Sequence, residues 1–562
     1  MILWSAEGGL KRATVLAIAA MAVFVCLTLL SGSPPAPAKR PGFVDAAGHS
    51  AFSYKSNNSL VTRKYFPQPM CGGVAIFDYD SDGRMDIFFT NGAKLPELKK
   101  TDASYYNCLL HQKSEGTFED VTAKAGLLGD KLDFNFGVAV GDYDNDGHPD
   151  LFICAAGRNT LYHNNGDGTF TDVTAASGIG KPPNTLSVEA AWFDYDNDGL
   201  LDLIVSNYTI WTPETDIRCT MGEKDFYCDP RKYKSVPHRL YHNLGHGKFE
   251  DVTEKSGFGA APGKGMGISI ADFNGDGLLD VFIANDTEPN ALFINKGNGT
   301  FEERGLELGV AYNENAHVGS SMGSDAKDFN NDGKVDIFYN NLAGQIWGLL
   351  RNNGDGFDHN SYASKVQKLS TPYSGWSNGF IDYNNDGWKD IFSANGDVDQ
   401  VNEKSAQHDT MFENVDGKTF VDVSDDMGKD FLHVGYQRGS AFGDLNNDGA
   451  QDIVVTSLNE RPRILMNTAD SGNHWLLLNL IGHKSARDAI GAQVKVTTGS
   501  GRVLYSHVAV SVGFMSSSDK RVHFGLGAET KITSVEIRWP SGIRQTLRDV
   551  TADRILTVEE RM

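Results

Sequence analysis

Seven short segments of the sequence carry aspartates at a fixed spacing that suits the binding of a hard divalent cation. Each segment has nine residues, with Asp at positions 1, 5 and 9, Asp or Asn at position 3, and Gly at position 6. Short oxygen-bearing side chains at alternate positions can converge on one cation if the backbone turns sharply at a glycine. We call these segments acidic loops 1 to 7, and they begin at Asp78, Asp142, Asp194, Asp272, Asp328, Asp382 and Asp444.

Position 7 of the acidic loops accepts side chains of every kind, as expected where the ligand is the backbone carbonyl. The loops are not EF-hands, because none of them has the bidentate Glu that an EF-hand needs at position 12. The sequence therefore predicts up to seven Ca²⁺ ions, held by side chains at positions 1, 3, 5 and 9 and by the carbonyl at position 7. The predicted ligands are Asp78, Asp80, Asp82, Arg84 and Asp86; Asp142, Asp144, Asp146, His148 and Asp150; Asp194, Asp196, Asp198, Leu200 and Asp202; Asp272, Asn274, Asp276, Leu278 and Asp280; Asp328, Asn330, Asp332, Lys334 and Asp336; Asp382, Asn384, Asp386, Trp388 and Asp390; and Asp444, Asn446, Asp448, Ala450 and Asp452.

Each acidic loop leads directly into an apolar run that is typical of a buried strand. Two further phrases recur with the loops: one ends in Asn, as in LYHN up to Asn164, and the other resembles FTDVT from Phe170. Each unit of about 60 residues therefore supplies about four strands, which predicts an all-β fold with a seven-bladed β-propeller over residues 43–468. The last unit lacks its own FxDVT phrase, so we expect the strand at Phe43 to complete the final blade and remove an exposed edge.

The C-terminal residues 473–560 lack acidic loops, and their alternating apolar and polar residues predict a small β-sandwich-like domain. The phrases at 491–492, 524–527 and 539–542 resemble the ASPIC/UnbV domain. The units in 43–468 resemble FG-GAP repeats, also called VCBS repeats, of the integrin α-chain type. This order of modules is similar to that of the cartilage acidic protein-like family. The resemblance implies an extracellular, calcium-binding propeller with the cation loops on one face.

The N-terminal residues 1–38 have the features of an export segment. Lys11 and Arg12 precede an uncharged apolar run over residues 13–30, and a stretch rich in Ser, Pro and Ala follows. The length of the run fits both a cleaved signal peptide and a retained membrane anchor. We therefore expect an exported protein, which is either secreted or periplasmic, or held at the cell surface by an N-terminal helix. Membrane contact is expected only through this segment.

The acidic loops also account for the net charge. The chain of 562 residues has 51 basic and 73 acidic residues, giving a net charge of -22. Such a balance argues against a nucleic-acid partner, which requires a basic face. The loops supply 24 of the acidic residues, so the remaining chain has a formal charge of +2, and seven bound Ca²⁺ ions would bring the whole protein to -8.

The longest interruption of the repeat runs from Asn207 to Arg239, and loops that interrupt a rigid scaffold often carry binding functions. Cys219 and Cys228 lie in this insertion, and an oxidising compartment would allow them to form a disulfide. Its aromatic residues are candidates for contacts with a ligand, although the insertion could equally cover a blade edge. These candidates are Trp211, Phe226, Tyr227 and Tyr233.

The sequence contains no catalytic motif with the flanking secondary structure that its chemistry requires. A GxSxG motif at 375–379 runs directly into acidic loop 6 rather than into a helix, so it does not indicate a hydrolase, and neither HExxH nor CxxC occurs. His163 and His242 lie within strand phrases and are interpreted as structural. The sequence favours a non-catalytic extracellular binding or adhesion module whose partner is an extracellular protein or glycan. The alternative is a propeller enzyme, a lyase or hydrolase, that acts on extracellular polysaccharide.

Overall fold

A computed structural model describes residues 40–114, 116–180, 183–398 and 405–562. The export segment predicted at residues 1–38 lies outside these ranges. Within them, no helix is both long enough and apolar enough to span a membrane.

Seven sheets, each built on four antiparallel strands, dominate the structure. In each, the acidic loop joins the first strand to the second, and the Asn-ending and FxDVT phrases form the third and fourth strands. We number the sheets as blades 1 to 7. Blades 1 to 3 contain β2 (Val74–Phe77), β3 (Asp86–Phe89), β4 (Cys108–Ser114) and β5 (Thr117–Asp120); β6 (Asn135–Gly141), β7 (Asp150–Ala155), β8 (Thr160–Asn164) and β9 (Phe170–Asp172); and β10 (Thr185–Phe193), β11 (Asp202–Ile210), β14 (Arg239–Asn243) and β15 (Phe249–Asp251), with the separate hairpin β12 (Cys219–Met221) and β13 (Lys224–Phe226) between β11 and β14.

The other four blades repeat the arrangement, and blade 7 takes its outer strand from the beginning of the chain. They contain β16 (Gly265–Ala271), β17 (Asp280–Asn285), β18 (Ala291–Asn295) and β19 (Phe301–Glu303); β20 (Ser324–Lys327), β21 (Asp336–Tyr339), β22 (Gly348–Asn352) and β23 (Phe357–His359); β24 (Gly375–Ile381), β25 (Asp390–Asn395), β26 (Thr410–Val415) and β27 (Thr419–Asp422); and β28 (Gln437–Gly443), β29 (Asp452–Ser457), β30 (Arg463–Asn467) and β1 (Phe43–Asp45).

The blades follow one another around an axis. The first strand of each blade packs against the first strand of the next, and β28 of blade 7 packs against β2 of blade 1. These inner strands are buried, and so are the second strands, which are formed by the apolar runs that follow the acidic loops. The all-β propeller class expected from the repeats is therefore confirmed.

The N-terminal strand pairs with the last repeat, as expected from the order of the phrases. Phe43 lies opposite Asn467 and Asp45 opposite Leu465 in an antiparallel ladder. Blade 7 thereby gains its fourth strand, and β30 is paired on both sides.

Short helices connect several blades. Three of them follow an FxDVT phrase and end at a glycine in the left-handed conformation, the usual way to stop a helix. The α-helices are α1 (Thr122–Ala125), α2 (Thr174–Ser177), α3 (Thr253–Ser256) and α4 (Val366–Ser370), and the 3₁₀ helices are Ala46–His49, Ala103–Tyr105, Pro230–Lys232, Phe258–Ala260 and Ser424–Asp426.

The C-terminal residues form two further sheets. One has the strand order β35-β31-β38 and the other β33-β32-β36-β37, whereas β34 joins blade 1. The strands are β31 (His474–Ile481), β32 (Gln493–Thr498), β33 (Val503–His507), β34 (Ser516–Ser517), β35 (Val522–Gly527), β36 (Lys531–Arg538), β37 (Arg544–Thr551) and β38 (Arg554–Glu559).

Residues 508–518, which we call the axial segment, leave the C-terminal sheets and run along the propeller axis. β34 pairs in parallel with β2, and Gly513 exchanges two backbone hydrogen bonds with Ser324 of β20. The segment makes at least one hydrogen bond or strand pairing with each inner strand. The contacted residues, in blade order, are Val74, Val138, Glu189, Ile268, Ser324, Ser377 and Phe442. The axis of the propeller is thus filled by its own C-terminal region, which the sequence analysis did not predict.

Candidate metal sites

The acidic loops share one backbone geometry that turns their carboxylates inward. In loop 6, Asp382 accepts hydrogen bonds from the backbone N–H groups of Asp386 (2.9 Å) and Gly387 (2.8 Å). The N–H of Trp388, at position 7, donates to the Asp386 carboxylate at 2.8 Å. Position 4, here Asn385, is left-handed with φ of 59°, and Gly387 has φ of 87°. These two conformations explain why position 4 is Ser, Asn or Gly and position 6 is always Gly.

The position 9 aspartate is fully buried in every loop, with an exposed fraction of 0%. In loop 2, one oxygen of Asp150 accepts from the N–H of Asn164 (2.8 Å) and the other from the N–H of Tyr143 (3.3 Å). The carboxylate therefore ties the loop to the third strand of its own blade. This arrangement leaves further lone pairs of the same oxygens for a cation.

The asparagine that ends each third strand links neighbouring blades. The Asn164 side chain donates to the carbonyl of Tyr79, at position 2 of the preceding acidic loop, at 2.8 Å. Gln112 takes this role in blade 1 and donates to Leu445 of loop 7 at 2.9 Å, so that the series closes. The other links are Asn243 to Tyr143, Asn295 to Tyr195, Asn352 to Phe273, Asn414 to Phe329 and Asn467 to Tyr383. Sequence analysis identified these residues only as strand ends.

Replacing one of these asparagines is expected to destabilise the propeller. The Asn164→Ala variant loses bonds to the carbonyls of Tyr79 and Pro149 and to the N–H of Gly166, and it leaves buried groups unpaired. We expect a loss of about 3 kcal/mol in the free energy of unfolding, measured by chemical denaturation. The adjacent exposed Asn165 is the matched control, and Asn165→Ala should change stability by less than about 0.5 kcal/mol. Equal effects of the two variants would contradict the inter-blade role.

Three histidines reach into acidic loops 1 to 3. The Nδ1 atom of His163 lies 3.3 Å from an oxygen of Asp144 and 3.2 Å from one of Asp150. The neighbouring Asp150 carboxylate raises the pKa of His163 to about 9. His111 and His242 occupy the same place in loops 1 and 3. The interpretation of His163 and His242 as structural did not anticipate their contact with the predicted ligands.

The sequence carries a signal for this difference between loops. The three loops with a neighbouring histidine are those with Asp at position 3, namely Asp80, Asp144 and Asp196. The other four have Asn at position 3, and the residue that replaces the histidine is Ile294, Arg351, Glu413 or Met466. The added charge at position 3 and the imidazole thus occur together, which defines two kinds of loop.

Burial makes the charged form of the loop carboxylates less favourable and so raises their pKa values. Desolvation raises the pKa of Asp142 to about 8, with Asp488 as a second cause, and desolvation raises that of Asp280 to about 8. Buried oxygens of Asp144 and Asp272 have no hydrogen-bond partner. A divalent cation would satisfy such oxygens and offset the cost of burying the charge. The donor set, mainly carboxylate and amide oxygens, suits Ca²⁺.

The C-terminal sheets lie against the face of the propeller that carries the acidic loops. Arg487 lies 3.7 Å from the Asp142 carboxylate, and Arg538 lies 3.5 Å from that of Asp272. Arg502 and Arg521 donate to backbone carbonyls of loops 6 and 7, at Asp386 (2.5 Å) and Asp444 (2.6 Å). The C-terminal region thus supplies positive charge to four loops, which the spacing of the repeats did not indicate.

The insertion between β11 and β14 lies at the opposite end of the inner strands. Cys219 and Cys228 form a disulfide in it. Trp211 and Tyr233 are only 1% and 7% exposed and pack in the core, and Trp211 also lines a second cavity. Their role in ligand contact stays a prediction. Phe226 and Tyr227 are half-buried, and Tyr227 lines a cavity. Ser377 of the GxSxG motif is buried within β24, where no helix follows it.

Comparison with known families assigns both parts of the chain. The model of the FG-GAP-like repeat matches residues 78–153, 142–205, 235–283, 272–323, 328–393 and 382–455. The ASPIC and UnbV model matches residues 482–562.

Similar proteins include cartilage acidic protein 1 of Mus musculus and of Homo sapiens. Each is 24% identical to this chain over 90% of its length, and the matches cover 76% and 74% of those proteins. Among solved structures, a lectin of Agrocybe aegerita that recognises non-reducing terminal N-acetylglucosamine aligns with a TM-score of 0.40 and 13% identity, covering 70% of this chain and 87% of the lectin. A lectin from Burkholderia pseudomallei aligns with a TM-score of 0.44 and 9% identity, covering 71% of this chain and 96% of the lectin.

Proposed function

We propose a function for this chain, which belongs to the family of FG-GAP-like repeat proteins and carries an ASPIC and UnbV domain. It is an exported, calcium-stabilised β-propeller that binds an extracellular protein or glycan without catalysis. One observation carries the calcium part of this proposal. All seven acidic loops bury the carboxylate at position 9 completely, and several leave loop oxygens without a partner. Burial makes the charged form of these carboxylates costly, and a bound cation would offset that cost.

The arrangement of the molecule also supports a binding role. The axis is filled by the axial segment, and one face is covered by the C-terminal sheets, so that the opposite face and its insertion remain for a partner. Proteins with a rigid scaffold of this kind commonly bind their ligands through the loops that connect its strands. Secretion fits the predicted export segment and the disulfide between Cys219 and Cys228.

A combined binding and turnover assay tests this function. The purified protein is applied to an array of extracellular polysaccharides and glycans, with calcium or with a chelator, and release of new reducing ends is measured in parallel. We expect calcium-dependent retention without released product. Turnover of a polysaccharide would instead support the lyase or hydrolase alternative, and retention that is indifferent to calcium would contradict the stabilising role of the loops.

A further inference from the structure

A cavity of about 540 Å³ opens at the mouth of the propeller opposite the acidic loops. Met266, near the start of β16, and Trp376, near the start of β24, lie at its base, and both strands run from this mouth toward acidic loops. The disulfide-bonded insertion contributes Tyr227 to the wall. The volume lies within the range of about 300 to 1,000 Å³ that is usual for small-ligand sites.

Two consecutive residues that line this cavity, Asp286 and Thr287, each have a side-chain oxygen without a hydrogen-bond partner among the described residues. Asp286 is only 4% exposed, and Tyr208 donates a hydrogen bond to one of its oxygens at 2.6 Å. The Ser320 hydroxyl lies near this carboxylate, but the other oxygen accepts no hydrogen bond of good geometry. The hydroxyl of Thr287 is likewise buried and unpaired. Buried polar groups without a partner are costly, so these two atoms indicate that something else satisfies them. One accepts hydrogen bonds and the other both accepts and donates, which suits a ligand with neighbouring hydroxyl groups.

The charges around the cavity are balanced within the protein. Arg231 forms an ion pair with Asp229 at 2.5 Å. Arg438 stacks on Trp376 at 3.8 Å and donates to the carbonyl of Asp397 at 3.1 Å. Each of the three lining acids has a cation close to it, namely Arg231 at Asp229, Arg438 near Asp397 and Lys264 near Asp286. Neither a strongly anionic nor a strongly cationic ligand is therefore favoured.

The remaining lining is apolar or aromatic. Methionines and other apolar side chains alternate with the polar groups around the cavity, a combination that suits a ligand with both C–H faces and hydroxyl groups. The apolar and aromatic lining residues that matter most are Phe66, Met70, Met266, Val318, Met322 and Leu342. Uncharged sugars present apolar C–H faces between their hydroxyl groups and meet this description.

We propose that this cavity binds one or two residues of an uncharged sugar, whose hydroxyl groups pair with Asp286 and Thr287 and whose C–H faces pack on the apolar lining. The inference rests on the proposed binding function and gives it a site and a ligand class. The site is separate from the acidic loops, so calcium acts on it only through the stability of the propeller.

Saturation-transfer NMR with the calcium-loaded full-length protein tests this site. The probes are the methyl glycosides of glucose, galactose, mannose and N-acetylglucosamine, with choline as a cationic probe and glucuronate as an anionic one. We expect transfer to at least one neutral glycoside and none to choline or glucuronate. Transfer to choline or glucuronate alone, or to no probe, would overturn the ligand class.

Two variants place the binding in the cavity. Thr287→Val keeps the branched shape but removes the unpaired hydroxyl, so we expect about tenfold weaker binding of the neutral glycoside with no loss of thermal stability. Val318→Arg puts a bulky charge at an exposed lining position (40% exposed) and should abolish binding. Val415→Arg is the matched control at 39% exposure outside the cavity and should leave binding unchanged. Glycoside binding that persists in both cavity variants would overturn this site while leaving the proposed binding function intact.

Discussion

Removal of calcium is expected to lower the melting temperature of this protein more than any single substitution outside the acidic loops. Calcium sites of extracellular modules often have Kd values of about 10⁻⁴ to 10⁻³ M. At a free concentration one hundred times Kd, each occupied site contributes about 2.7 kcal/mol to stability. A few occupied sites therefore match the entire net stability of a typical domain, about 5 to 15 kcal/mol. Differential scanning calorimetry in calcium and in chelator measures the effect, with magnesium as the control cation.

The pH dependence of the same melts should differ between the two conditions. Burial raises the pKa of Asp194 to about 7 and of Asp280 to about 8 in the folded, calcium-free protein, whereas an unfolded Asp has a pKa of about 3.9. Between these values the folded state holds more protons than the unfolded state, so stability without calcium falls as pH rises from about 4 to 8. Calcium competes with these protons, so added calcium should reverse or remove the trend. A melt that is the same with and without chelator, at both ends of this range, would exclude structural calcium.

Adding one methyl group at Gly513 is expected to destabilise the propeller strongly. Gly513 lies in the axial segment with φ of +88°, and a Cβ atom there would overlap the hydroxyl of Ser377 and approach the carbonyl of Asn378 at 2.8 Å. Ser377 and Asn378 both lie in the inner strand β24. This strand cannot move away from the axial segment without opening the ring of blades. For Gly513→Ala we expect a loss of about 4 kcal/mol or more in the free energy of unfolding.

Gly501 provides the matched control for backbone strain. It has φ of +90° in a C-terminal hairpin, and an added Cβ would meet no atom within 4 Å. Gly501→Ala should therefore show the strain of the left-handed conformation alone, about 1 kcal/mol. If Gly513→Ala cost no more than Gly501→Ala in parallel denaturation experiments, the axial segment would not be packed as described.

Local pattern was sufficient to predict the repeating part of the molecule. The phrases that recur in each unit predicted the acidic loops, the buried strands after them and the pairing of β1 with β30. They could do so because the residue types in each phrase are required by the local backbone geometry. Gly at position 6 and Asn, Ser or Gly at position 4 are required by positive φ angles, whatever lies outside the loop.

The contacts between distant parts of the chain were not predictable in this way. The axial segment meets all seven inner strands, yet its sequence, VAVSVGFMSSS, has no special motif. A signal existed in the inner strands, where Gly73, Gly137, Gly323 and Gly439 make room for it or for the adjacent blade. The arginines that reach the acidic loops gave no such signal, because each lies in an ordinary strand or turn of the C-terminal sheets. Nor did the sequence show that Trp211 and Tyr233 of the insertion are buried in the core.

The closing of blade 7 by β1 has a consequence for how the chain reaches its native state. Next to this strand, the N–H of Gly42 donates a hydrogen bond to the side chain of Thr468, which is 426 positions away in the sequence. The axial segment, which contacts every blade, lies still closer to the C-terminus. Such long-range pairing makes folding slow and leaves strand edges exposed until it is complete. The ring of blades cannot close until the chain has been synthesised at least as far as the last repeat, because its first strand comes from the beginning of the chain. We therefore expect the newly made chain to depend on chaperones that prevent aggregation until the ring closes.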